Sequence, residues 1–418
     1  MREKFDFKAF LVKNAVTIMF VVLCVVCFRF SGLSISHLMK EMMERLSRNA
    51  FIVLALIIPI IAGMGINFAI TIGAMAAQIA LLWVLEWQIP GAWGMLVAAL
   101  MTLPIATLFG YLVGKLLNQM KGQEMIGSMI LGYFANGLYQ LLFLFIFGNL
   151  IPLNTPNLVI KGSAGVANTL DLKPTKIMYA LDNLFPKLMF EHALYIVSGI
   201  IIVLCLVSML KKRMKGTKFA VTAVALGACC AAMQIPAVKA VCAMSVPPAT
   251  FVLVGLLCLF NSAVMRTKLG QDFRAVGQNG TVANAAGINV DRTRLTAIIF
   301  STVLAAWGQL IFVQNMGTLQ TYQAHEQIGL YAGAAILVGG ASLARATNGQ
   351  ALLGCLLFHA LFIVAPPAGN ALFGDAAIAE YFRVFISYGV IALALVMHAW
   401  SSTQKRKPQN ALRNAAPQ

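Results

Sequence analysis

The chain has 418 residues, of which 60% are hydrophobic and 11% charged, and its net charge is +17. A soluble domain carries about 25% charged residues, so this composition excludes a soluble multidomain enzyme and calls for one membrane domain covered partly by lipid. The positive excess falls on alternate connections between apolar runs, which accounts for the basicity without a nucleic-acid partner.

Apolar runs of about 18 or more residues, each long enough to cross ~30 Å of hydrocarbon, recur along the chain. Residues 1–13 are basic and precede an apolar run from Ala15 to Phe30. No small-x-small cleavage pattern follows, so the run reads as an uncleaved first span, about 8–30. Cys24 and Cys27 form a C-x-x-C inside it, with no metal or redox context, and read as small apolar side chains. The five His are scattered and offer no metal constellation.

Residues 31–49 are amphipathic and read as interfacial. From Ala50 to Leu85 the chain is apolar, which as one helix is ~54 Å and too long for one crossing. Gly63-Met-Gly-Ile-Asn67 interrupts it. The interruption predicts two short arms meeting inside the membrane, as in transporters with broken helices.

Spans follow at about 92–117 and 125–150, separated by a polar turn from Asn118 to Glu124. Residues 151–190, with Pro152, Pro156, Pro174 and Pro186, form the longest polar segment, placed outside. Spans at 191–210, 219–233 and 248–265 surround the basic turn Lys211-Lys-Arg-Met-Lys215. After the connection 266–292 comes a span at 293–314, then a polar stretch 315–329 with Tyr322, His325 and Glu326. Arms at 330–344 and 349–366 flank Arg345-Ala-Thr-Asn-Gly349, and a last span covers 380–400. The expectation is an all-α integral membrane protein of about ten transmembrane helices with two broken or re-entrant segments, or twelve if each broken arm crosses fully. Residues 1–404 are expected to form a single membrane domain, and 405–418, with Lys405-Arg-Lys407, a basic tail.

The charge assigns the sides. Segments 1–13, 115–124, 211–218, 266–294, Arg345 and the tail hold 21 of the 31 Lys and Arg but 5 of the 14 Asp and Glu. These segments are therefore placed in the cytoplasm, with both termini.

The connection Phe273-Arg-Ala-Val-Gly277-Gln-Asn-Gly-Thr-Val-Ala-Asn-Ala-Ala-Gly287-Ile-Asn-Val-Asp-Arg292 reads as a short helix between two turns. Gly277 and Gly280 break the chain before it, Asn279 or Thr281 caps it, and Gly287 ends it in a left-handed conformation. Its small, weakly polar middle suits docking into a groove on another protein. The plain alternative is an inter-helix turn.

This segment resembles the conserved cytoplasmic loop of permeases in the branched-chain-amino-acid/ribose/nucleoside class of bacterial ABC importers. The family pattern is approximately R-A-x-G-x-N-P-x-A-A-x-x-A-G-I-x-V-x-R. The matching residues are Arg274, Ala275, Gly277, Asn279, Ala283, Ala286, Gly287, Ile288, Val290 and Arg292. Gly280 replaces the usual Pro, and Asn284 stands where a basic residue is common. Ile336-Leu-Val-Gly-Gly-Ala-Ser342, Gly63 to Met75 and Lys121 to Ile126 resemble other family segments, so the likeness covers roughly 50–400. The resemblance implies that Arg274, Gly277, Asn279, Ala283, Ala286, Gly287 and Arg292 couple the chain to a separate ATPase. It also implies an extracytoplasmic solute-binding protein, a second permease subunit that is identical or a sister chain, and a bacterial inner-membrane location.

Polar residues at membrane depth are costly and often functional. Asn67, Thr71, Gln78, Asn136, Gln140, Gln309, Gln314 and Asn315 are therefore pathway candidates, suited to a polar uncharged solute. Interhelical hydrogen bonding is the other reading of each. His325 and Glu326 read as a gate or as a contact for the solute-delivering protein. Gly110-Tyr-Leu-Val-Gly114-Lys115 lacks the spacing and the Ser/Thr of a phosphate loop. No nucleophile elbow or zinc-protease motif is present, and no cofactor is implied. The resemblance thus implies a non-catalytic permease subunit driven by a partner's ATP hydrolysis, and the Gly65-Ile-Asn67 stretch and the 151–190 loop look more like the family's simple-sugar and nucleoside branches. The alternative is an ion-gradient-driven secondary transporter of a small polar solute.

Overall fold

The computed structural model describes residues 14–160, 165–210, 216–375, 377–385, 388–389, 392 and 396. The basic segments 1–13 and 211–215, the tail and most of the span expected at 380–400 lie outside these residues.

Helix α1 (Ala15–Ser31) ends at Gly32, which takes φ +65 as a left-handed cap. Helix α2 (Ile35–Leu54) starts at Ser34, whose Oγ accepts from His37 N. It is one continuous helix, so the expected interfacial segment 31–49 does not stand apart from the apolar run after Ala50. Its polar first half becomes wholly buried from Ala50 to Leu54. A one-and-a-half-turn helix, α3 (Ile57–Ile61), follows, and then the chain unwinds until α4 (Ile70–Glu86). The expected break is thus present between Ala62 and Ala69. Gly63 (φ +77) and Gly65 (φ +67) make it, in backbone conformations that other residues resist.

Helix α5 (Gly91–Gln119) and helix α6 (Glu124–Leu141) follow, and α6 runs on into a π-helical turn, Leu142–Ile146. The loop after it carries strands β1 (Thr169–Asp171) and β2 (Leu188–Met189). Then come α7 (Phe190–Leu210), α8 (Gly216–Ala232), α9 (Pro236–Val241), strand β3 (Ser245–Val246) and α10 (Pro248–Val264). Helix α11 (Lys268–Gln278) turns 75° away from α10, and α12 (Gly280–Ala285) follows it. The long α13 (Val290–Met316), strand β4 (Thr318–Gln320), α14 (Ile328–Val338) and α15 (Asn348–Phe373) complete the named elements.

Among the described residues, five helices are long and apolar enough to cross a membrane, and the bent α10–α11 pair makes a sixth. Four shorter apolar helices accompany them: α1, α4, most of α8, and α14. The expected arms at 330–344 and 349–366 are the short α14 and the longer α15, which continues through Pro366 and Pro367.

Helix α13 is the centre, and small residues let its neighbours close on it. A Cβ on Gly73 would stand 2.3 Å from Thr302 O, one on Gly110 2.9 Å from Ile299 Cα, and Ile52 packs on Gly308. With hydrocarbon outside, this close packing rather than water exclusion holds the helices together. The end of the bundle opposite α11 and α12 is closed by β1 pairing antiparallel with β4, Thr169 with Gln320. Buried Asp182 ties that loop down, accepting from Asn315 Nδ2 at 2.8 Å and from the Thr250 hydroxyl.

Candidate functional site

A cavity of about 370 Å³ opens beside the break, between the start of α4, the middle of α6 and the turn leading into α14. Phe68, Thr71, Asn136, His325, Glu326 and Tyr388 are among its lining residues. Two of the sequence-derived pathway candidates, Thr71 and Asn136, therefore face it. A third, Gln78, lies behind it.

The polar groups at the cavity form a chain. Tyr139 Oη stands 2.6 Å from Gln78 Oε1 and 3.0 Å from Thr321 O. His325 Nδ1 is 3.0 Å from Gln78 Oε1, and its Nε2 is 2.8 Å from Asn136 Oδ1. Asn136 Nδ2 donates to Glu326 Oε1 at 3.1 Å. An amide's oxygen and nitrogen are assigned from their partners. With its amide turned, Gln78 donates to Tyr139 and to His325 Nδ1, Tyr139 donates to Thr321 O, and His325 Nε2 donates to Asn136. That arrangement gives every member a partner and requires a neutral imidazole. Burial favours the same form, pushing the His325 imidazole down to about 4.

The remaining candidates stand elsewhere. Asn67, 1% exposed, accepts from Ala69 N at 3.1 Å and reaches toward Ser301, so it shapes the break. Gln309 donates to Ala324 O at 3.3 Å and supports the turn before His325. Asn315 holds Asp182. Gln314 is fully buried, with neither side-chain amide atom hydrogen-bonded. Gln140 is half-buried beside Tyr139 and is not a member of the chain.

A second cavity, a groove of about 740 Å³, runs along α12 at the opposite end, lined by Lys121, Gly280, Thr281, Asn284, Gly287 and Arg294 among others. Asn279 caps α12, its Oδ1 accepting from Thr281 N and Val282 N at 3.0 and 3.1 Å. Gly287 ends this segment at φ +84. Arg274, Asn279, Ala286, Gly287 and Arg292 are exposed. Two readings need correction. Gly277 does not break the chain: it is helical, within α11, and its lack of a side chain lets α11 touch the backbone at Ile61. Ala283 faces inward at 3% exposure, whereas its neighbour Val282 stands 63% exposed. Its six-residue helix is too short for sequence to fix which side turns outward.

Two ion pairs at this end were not legible in the sequence. Lys121 Nζ lies 2.9 Å from Asp291 Oδ1 in an exposed pair. Glu124, at the start of α6, pairs with Arg294, near the start of α13, and both are buried. Their 170-residue separation hides the second pair from any local pattern.

A family model described as the branched-chain amino acid transport system permease component matches residues 42–396. The chain is 33% identical over 114 residues to an autoinducer 2 import system permease protein of Klebsiella pneumoniae, covering 27% of this chain and 32% of that one. It is 28% identical over 153 residues to a probable ABC transporter permease protein of Escherichia coli, covering 37% and 44%. It is 29% identical over 161 residues to a xylose transport system permease protein of Haemophilus influenzae, covering 38% and 40%. The matched segments thus span less than half the length of each of these relatives. No solved structure matches the chain significantly.

Proposed function

The chain belongs to the family of branched-chain amino acid transport system permease components, and from that membership we propose that it is the transmembrane permease subunit of an ATP-driven importer for a simple sugar or a nucleoside. The observation that carries the reading to a solute is the cavity beside the break. Its ~370 Å³ falls within the range of small-molecule sites. Its walls offer hydroxyl, amide and imidazole groups together with the rings of Phe68 and Tyr133. A polyhydroxylated solute presents the matching donors, acceptors and C–H faces. A sugar is favoured over a nucleoside by the relative named for xylose.

In this reading the chain spans the inner membrane about ten times, with 1–404 as one domain and 405–418 as a tail. The positive-inside bias puts both termini and the α11–α12 end in the cytoplasm. One ATPase subunit engages the groove along α12, a second permease subunit, identical or a sister chain, completes the pathway, and a second ATPase subunit engages that partner. A solute-binding protein meets the opposite end, where β1 and β4 lie. ATP is hydrolysed by the partner. Closure of the ATPases moves α11 and α12, and α11 presses on the break at Ile61–Gly63, which leads into α4 and the cavity wall. Thr281, Asn284 and Gly287 line the α12 groove, and the exposed Arg274, Asn279, Val282, Ala286 and Arg292 meet the ATPase beside it.

The test is uptake of labelled xylose, ribose and adenosine into proteoliposomes holding the chain with its ATPase subunits and binding protein. ATP-dependent, ionophore-insensitive uptake of one of them is expected. Uptake that persists without ATP and collapses with an ionophore would overturn the reading in favour of a gradient-driven transporter.

A further inference from the structure

Helix α6 meets the rest of the protein along one face, where Gly127, Leu131 and Ala135 pack beside a row of mostly polar residues. Glu124, Ser128, Gly132, Asn136 and Tyr139 recur every three or four residues and so share a face. Outside that face Ile126, Ile130, Tyr133, Phe134 and Leu138 are exposed. Polar contacts add discrete anchors to that packing. Ser128 Oγ accepts from Phe68 N at 3.1 Å, and Gly132 lies against Thr71 Oγ1, which a Cβ there would meet at 3.0 Å. At one end Glu124 holds Arg294, the two side chains 8% and 9% exposed as residues. Twelve residues on, ~18 Å along the helix, Asn136 bonds to both His325 and Glu326 at the solute cavity.

Arg294 belongs to two places at once. Its guanidinium grips Glu124, and it also lines the groove along α12. Whatever fills that groove therefore touches the residue that anchors the base of α6. Separating a buried ion pair is expensive, because each charge would be left without a partner in a low dielectric. The base of α6 must then follow Arg294 when α13 shifts. The neighbouring Lys121–Asp291 pair is 59% exposed on both sides and is too screened to enforce the same movement.

We propose that the Glu124–Arg294 pair is the joint that passes occupancy of the α12 groove into α6, and that α6 carries it as a rigid lever to Asn136 and the His325 turn. Glu124 and Arg294 are positioning residues and do not contact the solute. The lever supplies a route to the cavity separate from the α11 contact at the break. The proposal rests on the importer reading.

The experiment uses the complete complex in proteoliposomes and reads ATP hydrolysis, uptake and subunit association on the same preparations. Glu124→Gln keeps the size and a hydrogen-bonding end but loses the charge. It is expected to leave the ATPase bound and its basal hydrolysis intact, while solute taken up per ATP falls about tenfold, within the usual span of coupling energies. The reversed pair, Glu124→Arg with Arg294→Glu, is expected to recover at least half of that ratio, which a merely structural loss would not do. An unchanged ratio in Glu124→Gln, or loss of ATPase association there, would overturn the joint while leaving the importer reading standing. If Glu124→Gln fails to fold, failure of the reversed pair to restore coupled uptake would overturn it. Absence of ATP-driven uptake by the unaltered complex would overturn the importer reading, and the joint with it.

Discussion

Gly277, in the last turn of α11, lies backbone to backbone against Gly63 at the break after α3: a Cβ on Gly63 would stand 2.6 Å from Gly277 Cα. A Cβ on Gly277 would reach 2.0 Å from Ile61 O. The contact leaves no room for a side chain on either partner. Gly277→Ala should therefore destabilise the chain by about 1–3 kcal/mol through overpacking. Gly280→Ala, whose nearest neighbour would be Val290 Cγ1 at 3.8 Å, should stay within about 1 kcal/mol of the parent. Thermal unfolding in detergent separates the two. Equal midpoints for both variants would show that the contact is slack.

The docking face of α12 gives a second contrast. Val282→Asp and Ala286→Asp place a charge on exposed positions, and each is expected to abolish ATPase association while the chain inserts and unfolds normally. Ala283→Asp buries the charge inside the chain and should instead lower stability, by several kcal/mol if the carboxylate stays ionised. Asn279→Ala removes the cap and should weaken association through about 1 kcal/mol of lost helix stability. Pull-down with the ATPase, run beside a thermal melt, distinguishes these cases. Retention of the ATPase by both exposed variants would refute α12 as the docking element.

Such contrasts show where sequence reasoning reached and where it stopped. Gly63 and Gly65 and the Asn279 and Gly287 caps are local signals, and the break and the short helix they mark stand where expected; of the apolar runs, five among the described residues become helices long enough to span, with one bent pair beside them. Facing is a different matter. Ala283 and Val282 are adjacent, and only packing against the rest of the chain decides which is hidden. Asn67 and Asn136 looked equivalent as amides at membrane depth. The fold turns one onto its own backbone and the other into a cavity. The Glu124–Arg294 and Asp182–Asn315 pairs join residues more than a hundred positions apart, so no window along the chain contains them.

The neutral imidazole of His325 makes the cavity sensitive to acid. Its folded value is held at about 4 by burial, against ~6.5 when unfolded. The unfolded state therefore binds more protons between these limits. The stabilisation is complete above ~6.5 and drains away as pH falls through about 4, to a total of roughly 3 kcal/mol. Melting temperatures measured from pH 7 to pH 4 should fall more steeply for the parent chain than for His325→Gln. Parallel curves would show that the imidazole does not titrate with folding.

The contrast between Asn67 and Asn136 separates a scaffold residue from a solute contact. Asn67 is buried, and its side-chain oxygen takes the otherwise free N–H of Ala69 at the start of α4. Asn67→Ala leaves that donor unpaired, which costs about 1–3 kcal/mol. It should lower the melting temperature and reduce uptake by lowering the amount of folded protein, with KM unchanged. Asn136 lines the cavity between His325 and Glu326, where a solute hydroxyl can replace either bond. Asn136→Ala should therefore raise KM for uptake about tenfold, the equivalent of one hydrogen bond to a charged or polarised group. Its melting temperature should move less than that of Asn67→Ala. If Asn136→Ala leaves KM unchanged and melts like Asn67→Ala, then the cavity beside the break is scaffold, and the solute path runs elsewhere.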